Sequence, residues 1–196
     1  MKIRSTVRTL GSLLALSVGL PAIAALKVGD VAPDFTAQAS LAGKPIAYHL
    51  KDALKEGPVV VYFYPSAFTA GCNAQAHAFA VNMDKFREAG ASVIGVSLDS
   101  IERLNDFSAD PNYCAGQLPV ASDSDGKIAR SYELSIREVS AGAKDSRGIE
   151  IGHGMAERTT FIVTPDGKVS STIGGVTPTA NVDAALAAVQ ALKARK

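Results

Sequence analysis

The sequence is poor in the residues that many binding chemistries need. It has two cysteines and three histidines in 196 residues. The cysteines, Cys72 and Cys114, stand 42 positions apart, which excludes a C-x-x-C redox motif and a cysteine zinc site. No basic run or patch argues for nucleic acid. Asp123-Ser-Asp-Gly126 has too few carboxylates for a calcium loop and no closing glutamate in frame, so it reads as a turn. There are no repeats and no low-complexity segments.

Long apolar runs are also scarce. The one candidate, Leu10 to Leu20, is too short to span a bilayer, which takes ~20 residues. It follows a basic start (Lys2, Arg4, Arg8) and ends at Ala22-Ile-Ala24. That order is a secretory signal, with cleavage expected after Ala24 and the bacterial periplasm as destination. The expected mature chain, 25–196, has 172 residues, enough for one domain with a sizeable core, and a net charge near −2. No membrane association is expected after cleavage. An exported protein with two cysteines sits where disulfides are permitted.

What the chain does have is one well-marked stretch, Val59 to Cys72. Residues 59–64 are β-branched or aromatic with almost no alternation, as in a strand covered on both faces. Pro65 stops the strand for want of an N–H, and Gly71 allows a sharp backbone turn. Phe79, Met83 and Phe86 then recur at helical spacing among alanines. Cys72 falls in the first turn of that helix, on its inward face. Unpaired amides and the positive end of the helix dipole favour a thiolate there over a thiol. An inert buried cysteine is the plainer alternative.

Ile46–Leu50 is a strand candidate, and Lys51–Glu56 is a helical turn closed by Gly57-Pro58. Ala91–Leu98 is a second buried strand, and a helix over Ile101–Phe107 follows the Asp99-Ser100 cap. This alternation predicts crossovers and a largely parallel sheet. Leu118–Ala121 is a short strand, and Lys127–Tyr132 a short helix. Residues 159–163 and 168–173 form a hairpin across Pro165-Asp-Gly167. Asn181-Val-Asp183 opens a last amphipathic helix. Residues 136–156 are polar and glycine-rich, with His153 placed as a loop residue. The sum is an α/β thioredoxin-like fold, a central mixed β-sheet with helices on both faces.

Pro65-x-x-x-Thr69-x-x-Cys72 resembles the active-site motif of peroxiredoxins, the thiol peroxidases of the alkyl hydroperoxide reductase/thiol-specific antioxidant superfamily. Phe63 to Cys72 looks most like the Q-type, or bacterioferritin-comigratory, branch, and Leu26 to Phe35 is similar to the family's opening segment. The resemblance spans about residues 27–175, with 136–156 standing out as an insertion. It implies a thiol-dependent peroxidase of hydrogen peroxide and organic hydroperoxides, with no metal or organic cofactor and a thioredoxin-like reductant, as monomer or homodimer.

Under that resemblance Cys72 is the peroxidatic nucleophile. Thr69 exchanges hydrogen bonds with the peroxide, Pro65 limits water, and the Gly71 and Cys72 amides line an anion-friendly pocket. Arg158, in Arg-x-x-Phe161, matches the arginine that holds thiolate and peroxide. Gln75, at i+3, orders the site. Many Q-type members carry a resolving cysteine where this chain has His77, which a helix rotates about 140° from Cys72. Cys114, in the flexible-looking Asp110–Gly116 loop, is the expected resolving thiol. A single-cysteine cycle with an external thiol is the alternative. A thiol–disulfide exchanger of exported proteins is a further alternative, disfavoured by the missing C-x-x-C.

Overall fold

The computed structural model describes residues 25–195; the signal segment expected at 1–24 lies outside them. A seven-stranded sheet runs in the order β2-β1-β5-β4-β3-β8-β9. Its strands are β1 (Thr36–Leu41), β2 (Lys44–His49), β3 (Val59–Phe63), β4 (Ser92–Ser97), β5 (Val120–Ser122), β8 (Thr159–Val163) and β9 (Val169–Gly174). Only β3–β4 and β4–β5 are parallel; the other four pairings are antiparallel. The sheet is therefore mixed rather than largely parallel. Local alternation of strand and helix dictates the middle only, while the hairpins β1–β2 and β8–β9 supply the edges.

Burial of β3 on both faces follows from its sequence. All five residues are buried, and alternate side chains enter different cores. Val60 and Tyr62 join one apolar layer with α2 (Ala70–Glu88), α3 (Ile101–Ala109) and α5 (Pro178–Lys193). Val59, Val61 and Phe63 join the other, with α1 (Leu50–Glu56) and α4 (Lys127–Ser131). The helix α2 turns Cys72, Gln75, Ala76, Phe79, Met83 and Phe86 inward, the stripe expected from its spacing. Gly95 of β4 faces Tyr62: a Cβ there would lie 2.6 Å from the phenol oxygen, so the aromatic layer requires glycine.

Residues 136–156 hold two short strands, β6 (Ile136–Arg137) and β7 (Met155–Ala156), paired antiparallel. They close the base of an excursion over 138–154 whose tip packs on the loop after β3. Asp110–Gln117 is not the open loop that its composition suggests. It is a tight run of turns pinned to α3 by Gly116 N–H to Ser108 O, 2.9 Å, and Cys114 inside it has no exposure. Among the described residues both cysteines are free, and both lie in the layer with Tyr62.

Candidate active site

The parallel pair β3–β4 delivers two loops to the same edge of the sheet. Pro65–Thr69 follows β3 and leads into α2. Thr69 is the helix N-cap in extended conformation, and the first rung of the helix is Asn73 N–H to Thr69 O, 2.8 Å. Cys72 therefore sits among first-turn amides that have no acceptor within the helix. Its side chain is buried, in the layer with Tyr62, Phe79 and Ala76.

Arg158, half-buried just before β8, reaches Cys72 from the neighbouring strand. Its Nη2 donates to Sγ at 3.3 Å, and its Nη1 donates to Gln75 Oε1. Gln75 Nε2 in turn donates to Asn181 Oδ1, 3.0 Å. Asn181 also accepts from Thr160 Oγ1, 2.6 Å, and donates to the Ile173 carbonyl, 3.0 Å. The guanidinium is thus fixed through α2, α5, β8 and β9 at once. A buried chain of this kind holds its geometry because each member left unpaired would cost free energy.

Gly71 has another part than the one its position in the turn suggests. It is helical and does not adopt positive φ; that conformation falls on Phe68, at φ 60°. A Cβ on Gly71 would lie 3.3 Å from Arg158 Nη2 and 3.4 Å from Pro178 Cγ. Glycine leaves room for the guanidinium to approach the sulfur. Thr69 Oγ1 donates to Ser66 O, 2.9 Å, which commits its hydrogen and leaves the oxygen able to accept. Pro65 is partly exposed beside the buried Ser66 and Ala67. His77 is exposed, in a hollow with Val81, Asp84 and Pro111, and belongs to a different surface.

Cys114 is in the same layer but in different company. Burial pushes its thiol well up, and Asp110 pushes further the same way. Phe107 and Tyr113, which stack on each other and meet Phe68 edge to face, wall the turns around it.

Two further sets of residues carry no signal as site residues in sequence. Asn181 and Thr160 are one. The Thr177-Pro178 pair, an N-cap followed by proline in the first turn, would have placed Asn181 inside α5 instead of at its start. The other is an ionic cluster behind the Pro65–Thr69 loop. Asp99 expected as a cap is fully buried, and Ser100 is the N-cap of α3. Asp99 contacts His153, Arg103, Ser66, Ser97 and the Ala67 amide. His153 is in the excursion, as expected, but turned inward.

A thioredoxin-like sheet, a cysteine in the first turn of a buried helix and an arginine donating to its sulfur define a thiol-based oxidoreductase. The chain belongs to the AhpC/TSA family, whose model matches residues 28–172. It is 33% identical over 133 residues to peroxiredoxin Bcp of Xanthomonas campestris pv. campestris, covering 68% of this chain and 76% of that protein. The structure of peroxidoxin BcpB from Mycobacterium tuberculosis superposes with a TM-score of 0.70 at 30% identity, over 85% of this chain and 98% of the other. The bacterioferritin comigratory protein of X. campestris gives 0.63 at 29% identity, over 80% and 91%. The protein is a peroxiredoxin of the Bcp/Q-type branch, a thiol-dependent peroxidase of hydroperoxides.

Proposed function

We propose that Cys72 is the peroxidatic nucleophile and that Cys114 resolves its oxidised form. The observation that carries the first assignment is Arg158 Nη2 on Cys72 Sγ, 3.3 Å, backed by Gln75 and Asn181. The Cys72 thiolate attacks one peroxide oxygen. An S–O bond forms, the O–O bond breaks, and the other oxygen leaves as hydroxide or alkoxide and takes a proton. Sulfur loses two electrons and the peroxide gains them. Arg158 and the first-turn amides of Gly71 and Cys72 stabilise the charge that moves from sulfur to the leaving oxygen. Thr69 orients the peroxide by accepting from its O–H, and Pro65 borders the approach. The solved relative from X. campestris is described through its alkyl peroxide reduction activity, which supports organic hydroperoxides as substrates here.

The resulting sulfenic acid condenses with Cys114, forming the S–S bond and releasing water. Cys114 is walled in by aromatics, so the start of α2 or the 110–117 turns must open first; a disulfide needs Cα atoms within about 7 Å. A thioredoxin-like dithiol then reduces the bridge. We further assign residues 1–24 to export, which places the cycle in the periplasm. An N-terminus at Ala25 in periplasmic extract tests that assignment, and Met1 retained in the cytoplasm refutes it.

The cycle is tested by adding one equivalent of peroxide to reduced protein and mapping thiols by mass spectrometry without reduction. An intrachain Cys72–Cys114 bond is expected, and an interchain bond would assign the cycle to a dimer. Persistent Cys72 sulfenic acid beside a free Cys114 overturns the resolving role. First oxidation at Cys114 overturns the nucleophile.

A further inference from the structure

The loop that presents Thr69 and Cys72 is held from behind by the 138–154 excursion, at two places. Ser146 grips its last part: the Ser146 amide and hydroxyl both donate to the Phe68 carbonyl, 2.8 and 2.7 Å, and the Arg147 guanidinium lies 3.3 Å from the Phe68 ring centre. Phe68 is the residue held in left-handed conformation, which a bulky side chain adopts only where its surroundings impose it.

The first part of the loop is held by Asp99. Its Oδ2 accepts from the Ala67 amide and from Ser97 Oγ, both at 2.7 Å. Its Oδ1 accepts from Ser66 Oγ, 3.0 Å, and faces Arg103 Nε, 2.7 Å, and His153 Nε2, 2.9 Å. Arg103 also donates to the Ala67 carbonyl, 2.9 Å, and pairs with Asp145, 2.8 Å. Asp145 in turn holds Arg147. The Asp99 and Asp145 carboxylates have no solvent exposure.

Both ring nitrogens of His153 face acceptors: Nε2 the Asp99 carboxylate, and Nδ1 the Gly154 carbonyl at 2.8 Å. A neutral imidazole has one N–H and would turn a lone pair toward one of them; the imidazolium satisfies both. We propose that His153 is a positioning residue for peroxide reduction, holding Asp99 in its imidazolium form so that Asp99 fixes the Ser66–Ala67 backbone that leads to Thr69 and Cys72. The inference takes Cys72 as the reacting thiol.

Of the charged groups nearest the ring, Asp99 favours the imidazolium and Arg103 opposes it. Burial works against the charge on His153, but the bond and charge of Asp99 and the Gly154 carbonyl outweigh it, and the basicity is raised above the usual 6.5 despite Arg103. Burial likewise opposes charge on Asp99, yet His153, Ala67 and Ser97 hold its carboxyl below the usual range. Glu138 and Glu150 are exposed and line the hollow beside the ring. Asp145 and Arg147 neutralise each other across Arg103. A raised histidine contributes its hold fully below the unfolded value and loses it as pH climbs through the folded one. The loop is therefore fixed in acid and slackens as pH climbs through the raised histidine value, opposite to the ordinary gain of thiolate with pH.

The test follows single-turnover oxidation of Cys72 by hydrogen peroxide from about pH 5.5 to about 8.5, around the histidine range. Each rate is divided by the thiolate fraction that iodoacetamide reports at the same pH. Amide exchange of residues 66–69 is measured in parallel in Cys72→Ser protein, so failure of this hold is separable from failure of Cys72 as nucleophile. In the wild type the corrected rate is expected to fall roughly tenfold across the window, the size of one charge-assisted hydrogen bond, with the protection of these amides, after division by their intrinsic base-catalysed exchange, falling in step. His153→Gln, which can still donate to Asp99 but cannot titrate, should give a flat profile. His153→Ala should be slow and fast-exchanging at every pH. A flat wild-type profile, or a His153→Gln profile that follows the wild type, overturns the proposal. So does a His153→Ala protein with lowered Tm but unchanged corrected rate and exchange.

Discussion

Cys72 and Cys114 occupy one apolar layer, at 1% and 0% exposure, yet their surroundings prepare them for different chemistry. Cys72 stands in the first turn of α2 with a guanidinium on its sulfur. Cys114 stands in a run of turns walled by aromatics, with Asp110 as its charged neighbour, and burial there favours the neutral thiol. Burial alone therefore does not mark a thiol as inert or reactive. Under the proposed assignment, what separates the two thiols is the helix end and the sign of the nearest charge.

The sharpest way to break this contrast is to exchange the sulfurs. Cys72→Ser should remove peroxide turnover altogether, a loss of roughly a thousandfold or more since no other activated nucleophile replaces it, with Tm close to wild type. Cys114→Ser should leave the first oxidation at wild-type speed in single-turnover kinetics. Equal losses in the two variants would erase the distinction. Next in size is Arg158→Ala, which takes the cation from Cys72 and leaves the helix end. Loss of one preorganised donor typically costs about 10²–10³ in rate, so the first oxidation should slow by that order, read by competition with a reference peroxidase. A loss of less than about threefold would assign the activation to the helix end alone.

How much of this could be read in the chain differs between the two cysteines as well. Pro65, Thr69 and Cys72 are contiguous with a strand and a helix whose patterns are strong, so the sequence locates them. Gln75 follows from helical spacing. Arg158 lies 86 residues away and has no local signal; only the family resemblance picked it out. Asn181 was legible in part, since the Thr177-Pro178 start of α5 puts it inside the helix, but the Asn-x-Asp pattern competes as a cap. The Asp99–His153–Arg103–Asp145 cluster joins segments with no shared periodicity, and charges in a glycine-rich stretch ordinarily read as solvated. β1 is faint for another reason: its buried positions are Ala37, Ala39 and Ser40, too small to mark a strand by hydrophobicity. The enclosure of Cys114 is likewise tertiary, because turn residues around it look mobile until Phe107 and Phe68 close over them.

A third, smaller effect sharpens the contrast by leaving both cysteines in place. Asn181→Ala removes the acceptor shared by Gln75 and Thr160 and the donor to Ile173 O. Unpaired buried groups of this kind should lower stability by about 2–4 kcal/mol, measured by denaturant unfolding. Arg158, loosened through Gln75, should also slow Cys72 oxidation by roughly tenfold, about half the effect of its own removal on a logarithmic scale. Destabilisation with an unchanged oxidation rate would show that Gln75 orients Arg158 without Asn181.

The smallest effect belongs to Cys114 and is one of linkage. Its thiol is held neutral in the fold, first by burial and then by Asp110, whereas in the unfolded chain it ionises near its ordinary value of 9.0. Above that pH the unfolded state has released a proton that the folded state retains. The folded form then binds more protons, and stability falls as pH rises. One such group contributes a slope of about 1.4 kcal/mol per pH unit once pH is well past 9. Tyr62, Tyr64, Tyr48 and Tyr132 are also held neutral by burial from their ordinary value of 10.0, and their four phenols together contribute about as much as the thiol between pH 9 and 10, so the thiol is read from the difference between proteins with and without it. Urea unfolding of Cys72→Ser protein across that window should show the decline, and Cys72→Ser/Cys114→Ala should show less of it, with the two curves parallel below about pH 8 and separating by about 1.4 kcal/mol per pH unit above about pH 10. Identical curves would mean that Cys114 ionises as readily in the fold as out of it, and the enclosed, neutral half of the comparison would be lost.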